Sequence, residues 1–529
     1  MIAAEEKNLF NSVVQPISIE NQLNALLLAL LTVILFYLAF PSGGIAELAW
    51  ITLVPVIIAL YSSNQRNAFM LGLLAATLGW MCSIWWAVEG VAQITSSTEN
   101  IVLPVIFFFC LLSALPYAVA CWLHVRLKLG SSLYGAFASA VIFTVLANYI
   151  PHVLPGNLAH ALYLKPSLIQ LADVGGVALV FFIIHAVNIL IANGITLLRT
   201  NKTQATQCFV MAVIIFLGNY SYGQYKIRYS ANITTPAKSI NIAIVQPNID
   251  TKNRTREDWQ QEQKKLKTIL QRVDQEQNID LAILPEVPVP ISYQYYEEDK
   301  KFFTQNVYNT PLLLTAIQPI TALDSTNASY FNTMEYINHN AVQQRYNKQV
   351  LLPFGEYLPF EQQLPWLRKV FPYAPNYIPG EQTENFIIQG ESEAITAIPL
   401  ICYEAVFPNM VAKGVAQGGE IIINSSNDAW FSDNSGQKVH LALSMFRSIE
   451  YRKYLVRATN TGISAVIDPY GRILSNSKIA TNTVGYSVSE IQIQSLDSFY
   501  QQYPNVIKAI FFFISLITIT RFRRTDAKN

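Results

Sequence analysis

Three short segments hold the residue types that acyl transfer needs. Leu281-Ala-Ile-Leu-Pro-Glu286 sets a carboxylate directly after an apolar run and a proline. In α/β proteins that position is the carboxyl end of a strand, where reactive groups collect. Tyr346-Asn-Lys348-Gln-Val-Leu-Leu-Pro-Phe-Gly-Glu356-Tyr puts a lysine and a glutamate on either side of a Pro-Phe-Gly turn. Pro399-Leu-Ile-Cys402-Tyr-Glu404 sets a thiol where an apolar strand passes into a loop. A thiol must shed its proton before it attacks a carbonyl, and Glu286 can take that proton and return it to the leaving group. The tetrahedral intermediate carries negative charge on oxygen, which Lys348 can hold. Glu356 would orient or neutralise the lysine. Taken singly, each segment has a plainer reading: a loop acid, two solvated charges beside a turn, and a small buried hydrophobe. Together they supply every part the reaction needs. His339 and His440 lie in no suggestive context, so a Cys–His pair is poorly supported, and His440 is expected to cap or pack on a helix.

The elements that must position these groups lie between Lys226 and about Gln502. Charges are frequent there and apolar runs shorten to strand length, as in Asn241–Val245, Leu281–Leu284, Leu312–Ile317, Ala394–Ile401, Glu420–Asn424 and Ile463–Ile467. Helical patterns over Glu257–Gln271 and Leu441–Lys453 alternate with them, which predicts an α/β domain.

The rest of the chain reads as membrane. Of 529 residues, 52% are hydrophobic and 13% charged, against about 25% charged in soluble proteins. The net charge of +1 offers no basic field for nucleic acid. The uncharged stretches 21–46, 48–65, 67–88, 100–125, 129–164, 174–198 and 203–225 approach or exceed the roughly 20 residues that a spanning helix needs. Val506–Thr520 gives a shorter eighth, with Lys508 able to snorkel. About eight spans are therefore expected: a seven-helix membrane domain over 1–225, an extracytoplasmic catalytic domain over 226–502, and a final span with a basic cytoplasmic tail over 503–529. The first 20 residues lack the pattern of a removable signal peptide, so the first span is expected to direct insertion. Arg66, Arg126 with Lys128, Arg199 with Lys202, and Arg521 onward follow the even spans. Glu89 and Glu99 follow the third. By the positive-inside rule both termini face the cytoplasm. Cys402 is then the one cysteine of the external domain, without a disulfide partner there. No zinc cluster is indicated, and no cofactor is expected.

At these residues the chain resembles the carbon–nitrogen hydrolase, or nitrilase, superfamily. With its helical N-terminal half it resembles the apolipoprotein N-acyltransferase family. The segments that carry the resemblance are Asn241-Ile-Ala-Ile-Val-Gln-Pro-Asn-Ile249, Leu284-Pro-Glu286, Tyr346-Asn-Lys348 with Leu352–Pro359, and Cys402-Tyr-Glu404. Asn424-Ser-Ser-Asn-Asp-Ala-Trp-Phe431, Arg457–Gly462 and Leu171–Gly176 add to it. The resemblance implies an αββα sandwich inserted before the last helix. It implies a Glu286, Lys348, Cys402 triad, with Glu356, Tyr403, Glu404 and Trp430 matching further residues used at the family's site. It also implies a ping-pong reaction in a bacterial inner membrane, with the catalytic domain periplasmic. Cys402 would take an acyl chain from a phospholipid as a thioester, and the α-amine of a diacylated apolipoprotein would accept it. Two segments depart from the family pattern. Trp259 is displaced from the position the pattern favours, and Leu154-Pro-Gly-Asn-Leu158 lacks the usual Phe-Pro-Trp.

Leu351–Tyr373, with Phe354, Leu358, Phe360, Trp366 and Phe371, is expected to dip into the outer leaflet as a lipid gate. Trp80, Trp85 and Trp86 are expected to pack or to anchor at the interface. Two alternatives stay open: a membrane-tethered amidase with water as acceptor, and a non-enzymatic channel or lipoprotein-binding module.

Overall fold

The computed structural model describes residues 19–149, 155–230, 238–249, 256–286, 302, 309–320, 329–339, 341–381, 384–390, 393–431 and 434–526. Part of the Leu154–Leu158 segment and all of Asp250–Thr255 lie outside them, as does the side chain of Trp259. The chain divides into two compact units, Met1–Trp85 with Pro104–Lys226 and Gln502–Asn529, and Trp86–Leu103 with Ile227–Gln501.

The first unit is helical. Among the described residues, four helices are long and apolar enough to cross a membrane, lying within Ile19–Ala39, Glu99–Arg126, Ala172–Leu197 and Lys202–Ser230. A fifth candidate would join Gln65–Ser83 to the helix Trp86–Ile94, which falls in the second unit. Val54–Tyr61 and Leu133–Tyr149 are shorter. The uncharged stretch 48–65 is therefore broken into a 3₁₀ turn, Ala46–Trp50, and a two-turn helix rather than running as one span. Such a break strands backbone groups in an apolar medium, where each must find a partner inside the protein. Asn188 supplies one: its Nδ2 donates to the Ala49 carbonyl (2.9 Å), and its Oδ1 accepts from Leu53 N (2.8 Å). Thr32 Oγ1 accepts from Val56 N (3.0 Å). Ala172–Leu197 carries Asn188 and has 67% of its apolar window buried. A long helix, Val506–Asp526, ends the described chain. Trp80 packs edge-on against Phe36 and Phe40.

In the second unit, two sheets face each other. β1 (Lys238–Gln246), β2 (Leu281–Ile283), β3 (Leu312–Pro319), β4 (Tyr330–Asn338), β5 (Ala341–Asn347) and β11 (Gly485–Ile493) form a sheet in the order β11-β1-β2-β3-β4-β5. β6 (Phe386–Gln389), β7 (Ala394–Ile401), β8 (Ile421–Ser426), β9 (Tyr454–Thr459) and β10 (Ala465–Ile467) form the second, in the order β10-β9-β8-β7-β6. One core fills the space between them, with Ile242, Ile283, Leu313 and Met334 from the first sheet against Ile401, Ile423 and Val456 from the second. Leu266, Ile269, Leu270 and Val273 of the helix Arg256–Gln275 cover the outer face of the first sheet. Helices Pro408–Ala416 and Asn434–Tyr451 lie against the second sheet, giving αββα layering. β1, β2 and β3 are parallel, as are β7, β8 and β9. The carboxyl ends of β2 and β7 carry the Glu286 and Cys402 segments, and the end of β5 carries Lys348.

Replacing Asn188 with leucine leaves the Ala49 carbonyl and the Leu53 N–H unpaired, at a cost of about 1–3 kcal/mol for each group. The expected outcome is a clearly lower unfolding temperature for the detergent-solubilised protein; an unchanged temperature would remove Asn188 from this role.

Candidate active site

Glu286 follows β2 through Leu284 and Pro285. Its backbone N–H donates to Ser426 O at the end of β8 (3.3 Å), and the hydroxyl of Thr315 holds the Pro285 carbonyl (3.1 Å). The carboxylate sits where the two sheets meet. Lys348 follows β5, and its N–H donates to Asn332 O on β4 (2.8 Å). Its ammonium is fully buried, with 1% of the side chain exposed, and lies 3.2 Å from Glu286 Oε1 and 2.8 Å from Glu356 Oε1. Asn332 Nδ2 donates to the same two oxygens, at 2.7 Å and 3.1 Å. Asn427 N donates to Glu286 Oε2 (3.0 Å) and Leu352 N to Glu356 Oε2 (2.8 Å). Burial opposes the Lys348 ammonium, but Glu286 and Glu356 outweigh it and hold the group well above the ordinary lysine range.

Cys402 opens the 3₁₀ turn Cys402–Val406 after β7 with φ of +50°. A left-handed conformation costs an L-residue about 1–2 kcal/mol, so the surroundings must hold it. The Cys402 carbonyl accepts from Asn424 Nδ2 (3.2 Å) and from His440 Nε2 (3.3 Å). Burial pushes the thiol well above the usual cysteine range, and the Glu286 carboxylate pushes it further, while the Lys348 ammonium pulls it down. The thiol thus lies in the field of both partners.

Glu404 is buried and ties the cysteine turn to the lysine loop. Its Oε1 accepts from Gln349 N (2.6 Å), Val350 N (3.1 Å) and Tyr346 OH (2.8 Å), and its Oε2 accepts from Ile401 N (2.8 Å). It shapes the backbone on both sides rather than joining the Glu286–Lys348–Glu356 cluster. Tyr403 stands edge-on to Phe407, with ring centroids 4.9 Å apart. Trp430 lies half-buried in the loop after β8, and its carbonyl faces Gly90, where an added Cβ would come within 2.9 Å. Trp86 packs edge-on against the neighbouring Phe431, at 4.6 Å.

Of the five large apolar residues expected to form a gate, three are core. Phe354 and Phe371 pack edge-on and are 7% and 1% exposed, and Leu358 is also buried. Phe360 and Trp366 are exposed, as are Leu364 and Tyr373. A cavity of about 590 Å³ opens among Leu351, Tyr357, Leu358, Phe360 and Tyr377. Tyr377 bounds it on the catalytic side: its N–H donates to Glu356 O (2.9 Å), and its hydroxyl feels the charges of Glu356, Glu286 and Lys348.

Sequence reasoning passed over Asn332, whose Phe-Asn-Thr context on a strand carries no chemical signal. It also passed over the contact of His440 with the Cys402 carbonyl. His440 does sit on a helix, Asn434–Tyr451, as expected, but it is bonded to Asp428 Oδ1 as well (2.9 Å).

Residues 241–501 match the carbon–nitrogen hydrolase family model, and residues 33–190 match that of the apolipoprotein N-acyltransferase N-terminal domain. An apolipoprotein N-acyltransferase of Geobacter metallireducens is 26% identical over 495 residues, covering 91% of this chain and 92% of the relative. One from Chlorobaculum tepidum is 24% identical over 525 residues, covering 91% and 93%. A solved mutant amidase of the nitrilase superfamily from Nesterenkonia AN1 is 18% identical, with a TM-score of 0.36, covering 51% of this chain and 96% of that one. With both halves matched in order and relatives aligned almost end to end, the chain belongs to the apolipoprotein N-acyltransferase family, its catalytic half within the nitrilase superfamily.

Proposed function

We propose that this chain transfers an acyl chain from a phospholipid, through a thioester on Cys402, to the N-terminal amine of diacylglyceryl-cysteine in apolipoproteins. The observation that carries the reading is the buried Glu286–Lys348–Glu356 cluster, whose Glu286 and Lys348 charges reach the Cys402 thiol. Cys402 Sγ attacks the ester carbonyl of the phospholipid as Glu286 takes the thiol proton. Lys348 holds the oxyanion. Collapse breaks the ester C–O bond, and Glu286 returns the proton to the departing lysophospholipid hydroxyl. The acceptor amine then attacks the thioester and gives a proton to Glu286. An amide forms, the C–S bond breaks, and the sulfur leaves as a thiol with that proton. Glu356 keeps Lys348 in place, and Glu404 holds the loops that carry Lys348 and Cys402. Tyr403 and Trp430 are assigned to substrate contact by family position.

The setting follows from the same reading: a bacterial inner membrane, several membrane-crossing helices, and the catalytic domain of residues 226–502 on the periplasmic side. The exposed Phe360, Leu364, Trp366 and Tyr373 border the 590 Å³ cavity or its loop, and they suit contact with an acyl region.

Three outcomes test the proposal. With a phospholipid carrying a tagged acyl chain, a hydroxylamine-sensitive label is expected on Cys402 that moves to added diacylated lipoprotein. Persistent labelling in Cys402→Ala would reject the nucleophile, and release to water alone would favour an amidase.

Glu286→Gln should act in opposite directions on two reactions. Removing the carboxylate that raises the thiol should leave Cys402 alkylation by iodoacetamide at pH 7 at least as fast as in the wild type. Removing the base should slow acylation from phospholipid on the order of 10²-fold or more. A parallel fall in both would point to collapse of the site.

Replacing Phe360, Trp366 and Tyr373 together with serine should slow turnover of vesicle phospholipid while the unfolding temperature holds. Unchanged turnover would reject the gate.

A further inference from the structure

Behind the nucleophile lies a buried polar network that the reaction above does not use. Arg457 on β9 is wholly buried. Its Nη1 donates to Asn424 Oδ1 (2.8 Å) and its Nη2 to Asp428 Oδ2 (2.5 Å). Engaging Asn424 through its oxygen leaves the amide Nδ2 to face the Cys402 carbonyl (3.2 Å). Asp428 is fixed on its other oxygen by Ser426 Oγ (2.9 Å) and by His440 Nδ1 (2.9 Å). His440 Nδ1 lies near both Asp428 Oδ1 and Arg457 Nη2 (3.1 Å); with the ring proton on Nε2, Nδ1 accepts from Arg457. Nε2 faces the Cys402 carbonyl oxygen (3.3 Å), and only a protonated Nε2 can bond there. The ring is further seated against Phe431, edge-on at 6.3 Å.

We propose that His440 is a positioning residue for the nucleophile: with Asn424, and oriented by Arg457, it forms a two-donor cradle for the Cys402 carbonyl that keeps Cys402 in its left-handed turn. The inference rests on Cys402 being the acylated residue. Cys402 has left the β7 ladder for a 3₁₀ turn, and these two side-chain donors add to the turn's own bonding at its carbonyl. Losing one frees the backbone toward the extended conformation that an L-residue prefers, and the sulfur shifts away from Glu286 and Lys348. A misplacement of about 1 Å at a reacting atom costs on the order of 10²-fold in rate.

Two substitutions separate donation from packing. His440→Phe keeps a ring against Phe431 and loses the donor; His440→Gln keeps an N–H of similar reach and loses the ring. In the full-length protein in detergent with tagged phospholipid, His440→Phe should lose on the order of 10- to 100-fold in the maximal rate of Cys402 acylation. Its KM for the donor should stay within about twofold, and the wild-type unfolding temperature should be nearly retained. His440→Gln should recover most of the rate. Full activity in His440→Phe, or equal loss in both variants, would overturn the cradle. Should His440→Phe fail to fold, Asn424→Ala decides: a kcat-selective loss supports the cradle and an unchanged rate overturns it. Labelling that survives in Cys402→Ala would instead bring down the thioester reading itself.

Discussion

Burying an ammonium costs several kcal/mol unless partners replace its water, and Lys348 is almost completely buried. Glu286 and Glu356 are its partners, so the cluster holds two carboxylates against one ammonium. The excess negative charge is spread over N–H donors from Asn332, Asn427 and Leu352. These donors come from both sheets and from the loop after β5, so the folded arrangement is what makes the cluster tolerable. The proposed reaction shifts charge within this enclosure rather than creating it. As the proton passes from sulfur to Glu286, the negative charge passes to the oxyanion beside Lys348. The dipoles that stabilise the resting state are already in place for the intermediate, which is the condition for electrostatic preorganisation.

Part of this was legible because Glu286 and Cys402 follow the apolar strands β2 and β7, whereas Lys348 follows the polar edge strand β5. β2 and the buried stretches of β3, β7 and β8 read as short apolar runs. β5, with its pattern Ala-Val-Gln-Gln-Arg-Tyr-Asn, is an edge strand with polar residues on its open face, and β11 alternates in the same way. Neither forms an apolar run, so both escaped notice. The chemistry of Glu286 and Lys348 was readable from residue type. That of Asn332 and His440 was not, because an amide or imidazole acquires a role only through what the fold brings against it.

The membrane unit shows the same limit from the other side. Uncharged length marks material that can enter a bilayer, but it does not say whether the backbone stays helical through it. The break between Ala46–Trp50 and Val54–Tyr61 is stable because Asn188, far along the chain, satisfies the exposed peptide groups. A count made from apolar stretches treats such a segment as one continuous helix, and only the partner of each peptide group distinguishes the two cases.

The close approach of Gly90 to the Trp430 carbonyl has a practical meaning for anyone wishing to isolate the catalytic half. The helix Trp86–Ile94 belongs to the catalytic unit although the chain from Pro104 to Lys226 separates it from the rest. A fragment cut at Ile227 would therefore lack the ring that shields Phe431 and the backbone that covers Trp430, leaving uncapped the very loop whose Asn427 amide steadies Glu286. A soluble version of this enzyme has to be stitched from two pieces rather than trimmed from one.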